Sequence, residues 1–238
     1  MRDRLCAALM ILLSVGYAAF WAIDCSAGAL YEAGRWIKQG CVCLCLLLSL
    51  ARLGRAPGFP GAALAGALFF TALADTQLLF SGPPVWGMAL FQVAQGLHQS
   101  AVHPRAAAAL IPAHLLALAW GVAAGADPFA LAAGLYAAAL LENLLLSWLA
   151  WRADRRPARW RTAWGFVLFA LCDLNVALFN LPAVLPALPA WYTPGLYQAA
   201  SAMMWFWYLP SQVLLALGGA DEVFLPGAGS TPGVGRIE

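Results

Sequence analysis

Charge is what this sequence has least of. Only 10% of its 238 residues are Asp, Glu, Lys or Arg, and the cations are twelve arginines and a single lysine, Lys38. A soluble globular domain carries about a quarter, so a water-soluble fold is excluded. No basic run is long enough to make a face for nucleic acid, which is not expected as a partner. A disulfide framework is missing too: Cys6, Cys41, Cys43, Cys45 and Cys172 fall inside apolar runs and only Cys25 lies near a loop. Of the closely spaced Cys41, Cys43 and Cys45, only the first and last share a helix face, so they read as small hydrophobes and no metal site is expected.

What the chain does have is apolar length: 63% of its residues are hydrophobic. A bilayer crossing takes about 20 mainly apolar residues, which leaves room for about eight crossings and a tail. Runs bounded by charge, Gly or Pro predict helices near 5–24, 36–53, 59–80, 83–103, 105–124, 127–151, 160–180 and 195–218. The fold class expected is therefore all-α, a bundle of eight transmembrane helices over residues 1–218. Arg2 and Arg4 precede an apolar stretch too long for a signal core, so this stretch reads as a retained first helix. Residues 219–238, rich in Gly and Pro, read as a disordered cytoplasmic tail.

Orientation follows from counting cations in alternate connections, since Lys and Arg stay on the cytoplasmic side. With the N-terminus inside, the inner segments hold eleven, five of them between Arg152 and Arg161, and the outer ones hold only Arg35 and Lys38. Both termini are accordingly expected in the cytoplasm.

Against this apolar background, acids within a span are functional candidates, because a charge at the helix centre costs about 2.5–3.5 kcal/mol on insertion scales. Asp75, Glu142 and Asp173 qualify. At about 1.5 Å per residue, Asp75 and Asp173 lie roughly 8 and 10 Å below the outer helix ends, and Lys38 roughly 5 Å. Lys38 is thus a candidate cation beside them. Both aspartates stand in an Ala-Leu-x-Asp-x-amide frame, Ala72 to Gln77 and Ala170 to Asn175. The helix after each carries an aromatic four residues before a glutamine, Phe91 with Gln95 and Tyr208 with Gln212, a spacing that shares one face. The match reads as a parallel four-plus-four duplication with Asp75 and Asp173 in equivalent positions. Glu142 with Asn143 reads as structural or as an inner-vestibule feature, His98 and His114 as bonds between helices, and Pro112 and Pro210 as kinks.

These features together resemble the lysoplasmalogenase family of integral membrane proteins, over roughly residues 36 to 217. The residues that carry it are Phe69-Phe70-Thr71-Ala72-Leu73-Ala74-Asp75, similar to an aromatic-rich helix ending in Gly-Asp, and Gly165 to Asp173, similar to Gly-x-x-x-Phe-x-x-Ser-Asp. Lys38 resembles a lysine opening the second helix, and Tyr208 with Gln212 a tyrosine and glutamine of the last. Three positions depart: Ala74 stands for glycine, Cys172 for serine, and Gln95 where a histidine is usual.

The resemblance implies hydrolysis of the vinyl ether of a lysophospholipid to a fatty aldehyde and a glycerophospho-base, in the bacterial cytoplasmic membrane. Such an ether breaks by protonation of its β-carbon and attack of water on the resulting oxocarbenium ion, work for two carboxyl groups in different protonation states and no cofactor. Asp75 and Asp173 are the expected catalytic pair. Lys38, Gln95, Tyr208 and Gln212 are the expected polar contacts to substrate or water, and Phe69, Phe70 and Phe169 the walls for the alkenyl chain. Two other classes stay open: a small-solute or proton-coupled carrier, and a lipid-binding member of the fold without catalysis. A retinal protein is poorly supported, because the one lysine stands near a helix end.

Overall fold

The computed structural model describes residues 2–26, 30–53, 58–80, 83–185 and 187–224. Among the described residues there is no strand. The described residues form eight helices: α1 (Arg2–Cys25), α2 (Tyr31–Leu53), α3 (Phe59–Phe80), α4 (Pro84–Val102), α5 (Pro104–Ala123), α6 (Pro128–Ala153), α7 (Pro157–Val184) and α8 (Pro194–Phe224). Five of them open on proline, whose fixed φ suits the first helical position and whose missing N–H costs nothing there. Seven are long and apolar enough to cross a membrane, the composition of a helical membrane bundle. The exception, α4, is 19 residues long and buries Gln95, His98 and Gln99.

Three boundaries differ from those expected. Helix α2 starts at Tyr31, before 36, because Glu32 and Arg35 pair one turn apart at 2.8 Å and keep the charged opening helical. Helix α7 runs on to Val184, through Pro182. Helix α8 runs to Phe224, so the first six residues of the expected disordered tail are helical. Gly219 there lies so close to α3 that a Cβ would stand 2.9 Å from Leu64, and Ala220 is fully buried. Residues 225–238 lie outside the described residues.

Helices α7 and α8 pack together most extensively, then α3 with α4. Glycine makes the first contact possible: a Cβ on Gly218 would stand 2.7 Å from the Thr162 backbone nitrogen, and one on Gly165 2.8 Å from Leu215. Two further contacts pair similarly, α2 on α3 with α6 on α7 and α4 on α6 with α2 on α8, whereas α1 packs on α2 far more extensively than α5 does on α6. Helix α5 is the most loosely held, with only Ala107 and Gly121 buried.

Two prolines inside helices are matched by tyrosines. Proline cannot donate to the carbonyl four residues earlier, and in lipid no water replaces the lost bond. Pro210 frees the Phe206 carbonyl, which accepts from the Tyr17 hydroxyl of α1 at 3.1 Å. Pro182 frees the Leu178 carbonyl, which accepts from Tyr192 at 2.7 Å.

Candidate functional site

Asp75 belongs to the inward face of α3, with Leu64, Ala67, Leu68, Thr71 and Ala72, and is only 4% exposed. A buried carboxylate needs hydrogen-bond donors, and Tyr208 of α8 supplies one, its hydroxyl donating to Oδ2 at 2.6 Å. Asp173, on α7 and partly exposed, accepts at Oδ2 from the Tyr136 hydroxyl of α6 at 2.5 Å. Phe169 joins the pairs, its ring 5.5 Å from that of Tyr208 and 6.5 Å from that of Tyr136. Phe91 lies 5.5 Å from Tyr136 and 5.9 Å from Phe169. Cys172, next to Asp173 in the chain, is buried. All of these rings belong to one apolar cluster with Ala72, Ala74 and Leu140.

Tyr136 was not among the expected site residues, yet depth points to it. It stands nine residues from the expected helix start at 127, roughly 13 Å at about 1.5 Å per residue, within a turn of the level expected for Asp173. A buried tyrosine hydroxyl needs a partner, and an acid at its own depth is the obvious one.

Lys38 is not the cation of the acid pair. Its ammonium forms an ion pair at 2.8 Å with Asp24, a residue of α1 that sequence reasoning passed over. It also lies 5.8 Å from the Phe20 ring centre and 5.2 Å from that of Trp205, which itself stands 5.1 Å from the Tyr208 ring. An indole thus separates Lys38 from the tyrosine that holds Asp75. Phe69 is not a wall of the site either: it is 49% exposed and stacks edge-on against Phe70. Six residues before Asp75, it is about one and two-thirds turns away and so on another face of α3.

Gln95 and Gln212 do come together, one helical turn below the acids. With Thr71, His98, Phe166 and Phe169 they line a cavity of about 10 Å³ between α3, α4, α7 and α8. The Gln95 side-chain oxygen accepts from Asn143 of α6 at 2.7 Å, and the Gln212 amide donates to Ser211 at 3.3 Å. His98, expected to bond between helices, instead packs edge-on against Phe166 at 5.0 Å, and its Nε2 has no hydrogen-bond partner among the described residues.

A second polar cluster joins α4, α5 and α6. Glu142 accepts from Gln99 at 3.0 Å and meets His114 Nε2 at 3.0 Å, while His114 Nδ1 meets Gln92 at 2.7 Å. His114 therefore bridges helices as expected, and Glu142 tethers the loosely packed α5. At the α4–α5 junction, burial pushes His103 down to about 4, with the Arg159 charge acting in the same direction.

Two carboxyl groups, each with a phenol donor and bordered by rings, can divide proton donation and cation stabilisation between them. The chain matches no protein-family model, and comparison with curated proteins and with solved structures finds no significant match.

Proposed function

We propose that the protein is a membrane hydrolase of the lysoplasmalogenase type, cleaving the vinyl ether of a lysophospholipid at Asp75 and Asp173. The observation that carries this reading is the meeting of two membrane-depth carboxyl groups, each held by a buried tyrosine, around the shared ring of Phe169. The family resemblance over residues 36 to 217 supports it. In this reading all eight helices cross the cytoplasmic membrane, both termini face the cytoplasm, and α1–α4 and α5–α8 form a parallel repeat. The paired contacts of α3 with α4 and α7 with α8 agree with such a repeat.

The chemistry runs in three steps. One carboxyl group transfers its proton to the β-carbon of the vinyl ether, and the ether oxygen shares the positive charge of the resulting oxocarbenium ion. The other carboxylate, ionised throughout, stabilises that cation. Water then adds through its oxygen to the carbon next to the ether oxygen, and its released proton restores the acid. The hemiacetal collapses, its hydroxyl proton passing to the departing glycerol oxygen, and leaves aldehyde and glycerophospho-base. The sum is ether plus water, with the acid regenerated and no oxidant or reductant consumed. Tyr136 and Tyr208 keep each carboxyl rotamer fixed through the cycle, and Phe169 offers an apolar surface to the alkenyl chain.

The test is product mass spectrometry of the purified protein with an alkenyl lysophospholipid and its saturated alkyl analogue. Aldehyde is expected from the alkenyl lipid alone, lowered at least about a hundredfold in Asp75→Asn and in Asp173→Asn. Undiminished aldehyde from both variants would overturn the acid pair. No aldehyde from folded wild-type protein would overturn the reaction, and proton flux in liposomes would then favour a carrier.

A further inference from the structure

We propose that the cavity beneath the acid pair is a built water site, and that it feeds the attacking water to the vinyl ether from the end of the bundle that carries the five-arginine loop. The second half of this statement rests on the function proposed above; the first does not.

Each helix that lines the cavity passes from it to the acid site in one turn: Thr71 to Asp75 on α3, Phe169 to Asp173 on α7, Gln95 to Phe91 on α4 and Gln212 to Tyr208 on α8. Residues four apart stack on one helix face. The cavity is therefore the next layer down, and one aromatic residue, Phe169, is common to both layers.

Size and chemistry come next. A cavity of about 10 Å³ is the room one water molecule needs. An apolar hole of that size stays dry, but this one is lined by a hydroxyl, two amides and an imidazole. Gln95 has its oxygen fixed by Asn143, so the amide NH₂ is what it offers as donor. Gln212 uses its NH₂ on Ser211, so its carbonyl oxygen is the acceptor left over. His98 is 5% exposed and its Nε2 finds no partner among the described residues. A donor, an acceptor and an unsatisfied imidazole around one water-sized space make up the two to four contacts that a buried water usually has. Burying these groups with nothing between them is the costly alternative.

The position also suits the reaction. Oxocarbenium capture requires a water oxygen delivered beside the carboxylates while the alkenyl chain occupies the lipid side. Thr71, Gln95, His98 and Gln212 form a polar patch on the side of the acids toward Arg152 to Arg161, and the rest of the acid-site lining is aromatic or aliphatic. These four are positioning residues: they hold the nucleophile and touch no carbon of the substrate.

The experiment is X-ray hydroxyl-radical footprinting in ¹⁸O-water, run with steady-state kinetics on wild type, Gln212→Leu, and Thr71→Val with Gln212→Leu combined. Ordered water next to Phe166, Phe169 and His98 is expected to deposit ¹⁸O on them within a short dose, and the double variant to lose that label. The same variant should lose about tenfold in kcat with KM little changed, as expected for a water contact removed. Added methanol should recover part of its flux as the methyl acetal. Absence of label in folded wild type would overturn the water site whatever the activity. Label lost with kcat intact would overturn its role in the reaction. Wild type that is labelled but yields no aldehyde would sink the vinyl-ether reading and the delivery role, and leave the water site standing.

Discussion

Asp75 and Asp173 sit in the same sequence frame and accept from the same kind of donor, yet the donors arrive from different directions. Asp75 is held by Tyr208, 133 residues away on α8, and Asp173 by Tyr136, 37 residues away on the adjoining α6. Under a four-plus-four repeat, Tyr208 corresponds to Phe91, which has no hydroxyl to give. Helix α6 makes up the deficit with Tyr136. On the other side, α2 meets α3 through Gln39, which donates to the Ala72 carbonyl at 3.2 Å and not to an acid. The two aspartate segments therefore share a sequence frame and differ in wiring. Asp75 is clamped across the two halves and is nearly enclosed; Asp173 is clamped within its own half and is more open.

That contrast can be broken or sharpened by substitution, and the largest effect belongs to the acids themselves, as given above. Next come the tyrosines. Tyr208→Phe leaves a buried carboxylate without its phenol, and a hydrogen bond to a charged group is worth about 1.5–3 kcal/mol. A drop in turnover of roughly ten- to a hundredfold is expected by that figure. Tyr136→Phe should cost less, since Asp173 is more open to solvent or substrate. Equal losses in the two variants, measured by aldehyde release under saturating substrate, would remove the asymmetry.

Packing gives a smaller effect. Gly218→Ala sets a methyl 2.6 Å from Thr162 Oγ1 and 2.7 Å from the Thr162 backbone nitrogen, and the backbone cannot swing aside. Overpacking of this kind typically costs about 1–3 kcal/mol, to be read as a lowered melting temperature in detergent. Gly134→Ala, in a helix of the same half but with nothing within 4 Å of the added Cβ, is the control and should melt like wild type.

The smallest effect concerns acid stability. His103 is held near 4 in the fold against about 6.5 in the unfolded chain. The unfolded state thus binds the extra proton first, so stability is full above about 6.5 and falls as pH drops toward 4. His103→Gln should flatten that part of the thermal-melting curve.

Much of this organisation is legible in the sequence. Eight helices follow from apolar run length, and the two aspartates stand out as acids inside those runs. What escapes is whatever depends on which helices become neighbours. Asp24 and Lys38 are 14 residues apart across a turn, and only the packing of α1 on α2 makes them a pair. Phe69 is misjudged for a simpler reason: a motif is read as a string, whereas a helix distributes it over all its faces. Gly219 and Ala220 lack the bulk that marks a span, yet small residues are what allow α8 to lie against α3.

The hydroxyl that Tyr17 lends to the carbonyl freed by Pro210 has a consequence beyond satisfying an atom. Pro210 removes one rung of the backbone ladder two residues after Tyr208, although α8 runs on to Phe224. The α1 helix supplies a replacement bond at that point, from 189 residues away. In this sense the first helix, which contributes no side chain to the acid pair, aims the clamp on Asp75. Tyr17→Phe should be felt there as a loosened Tyr208, well before the bundle itself comes apart.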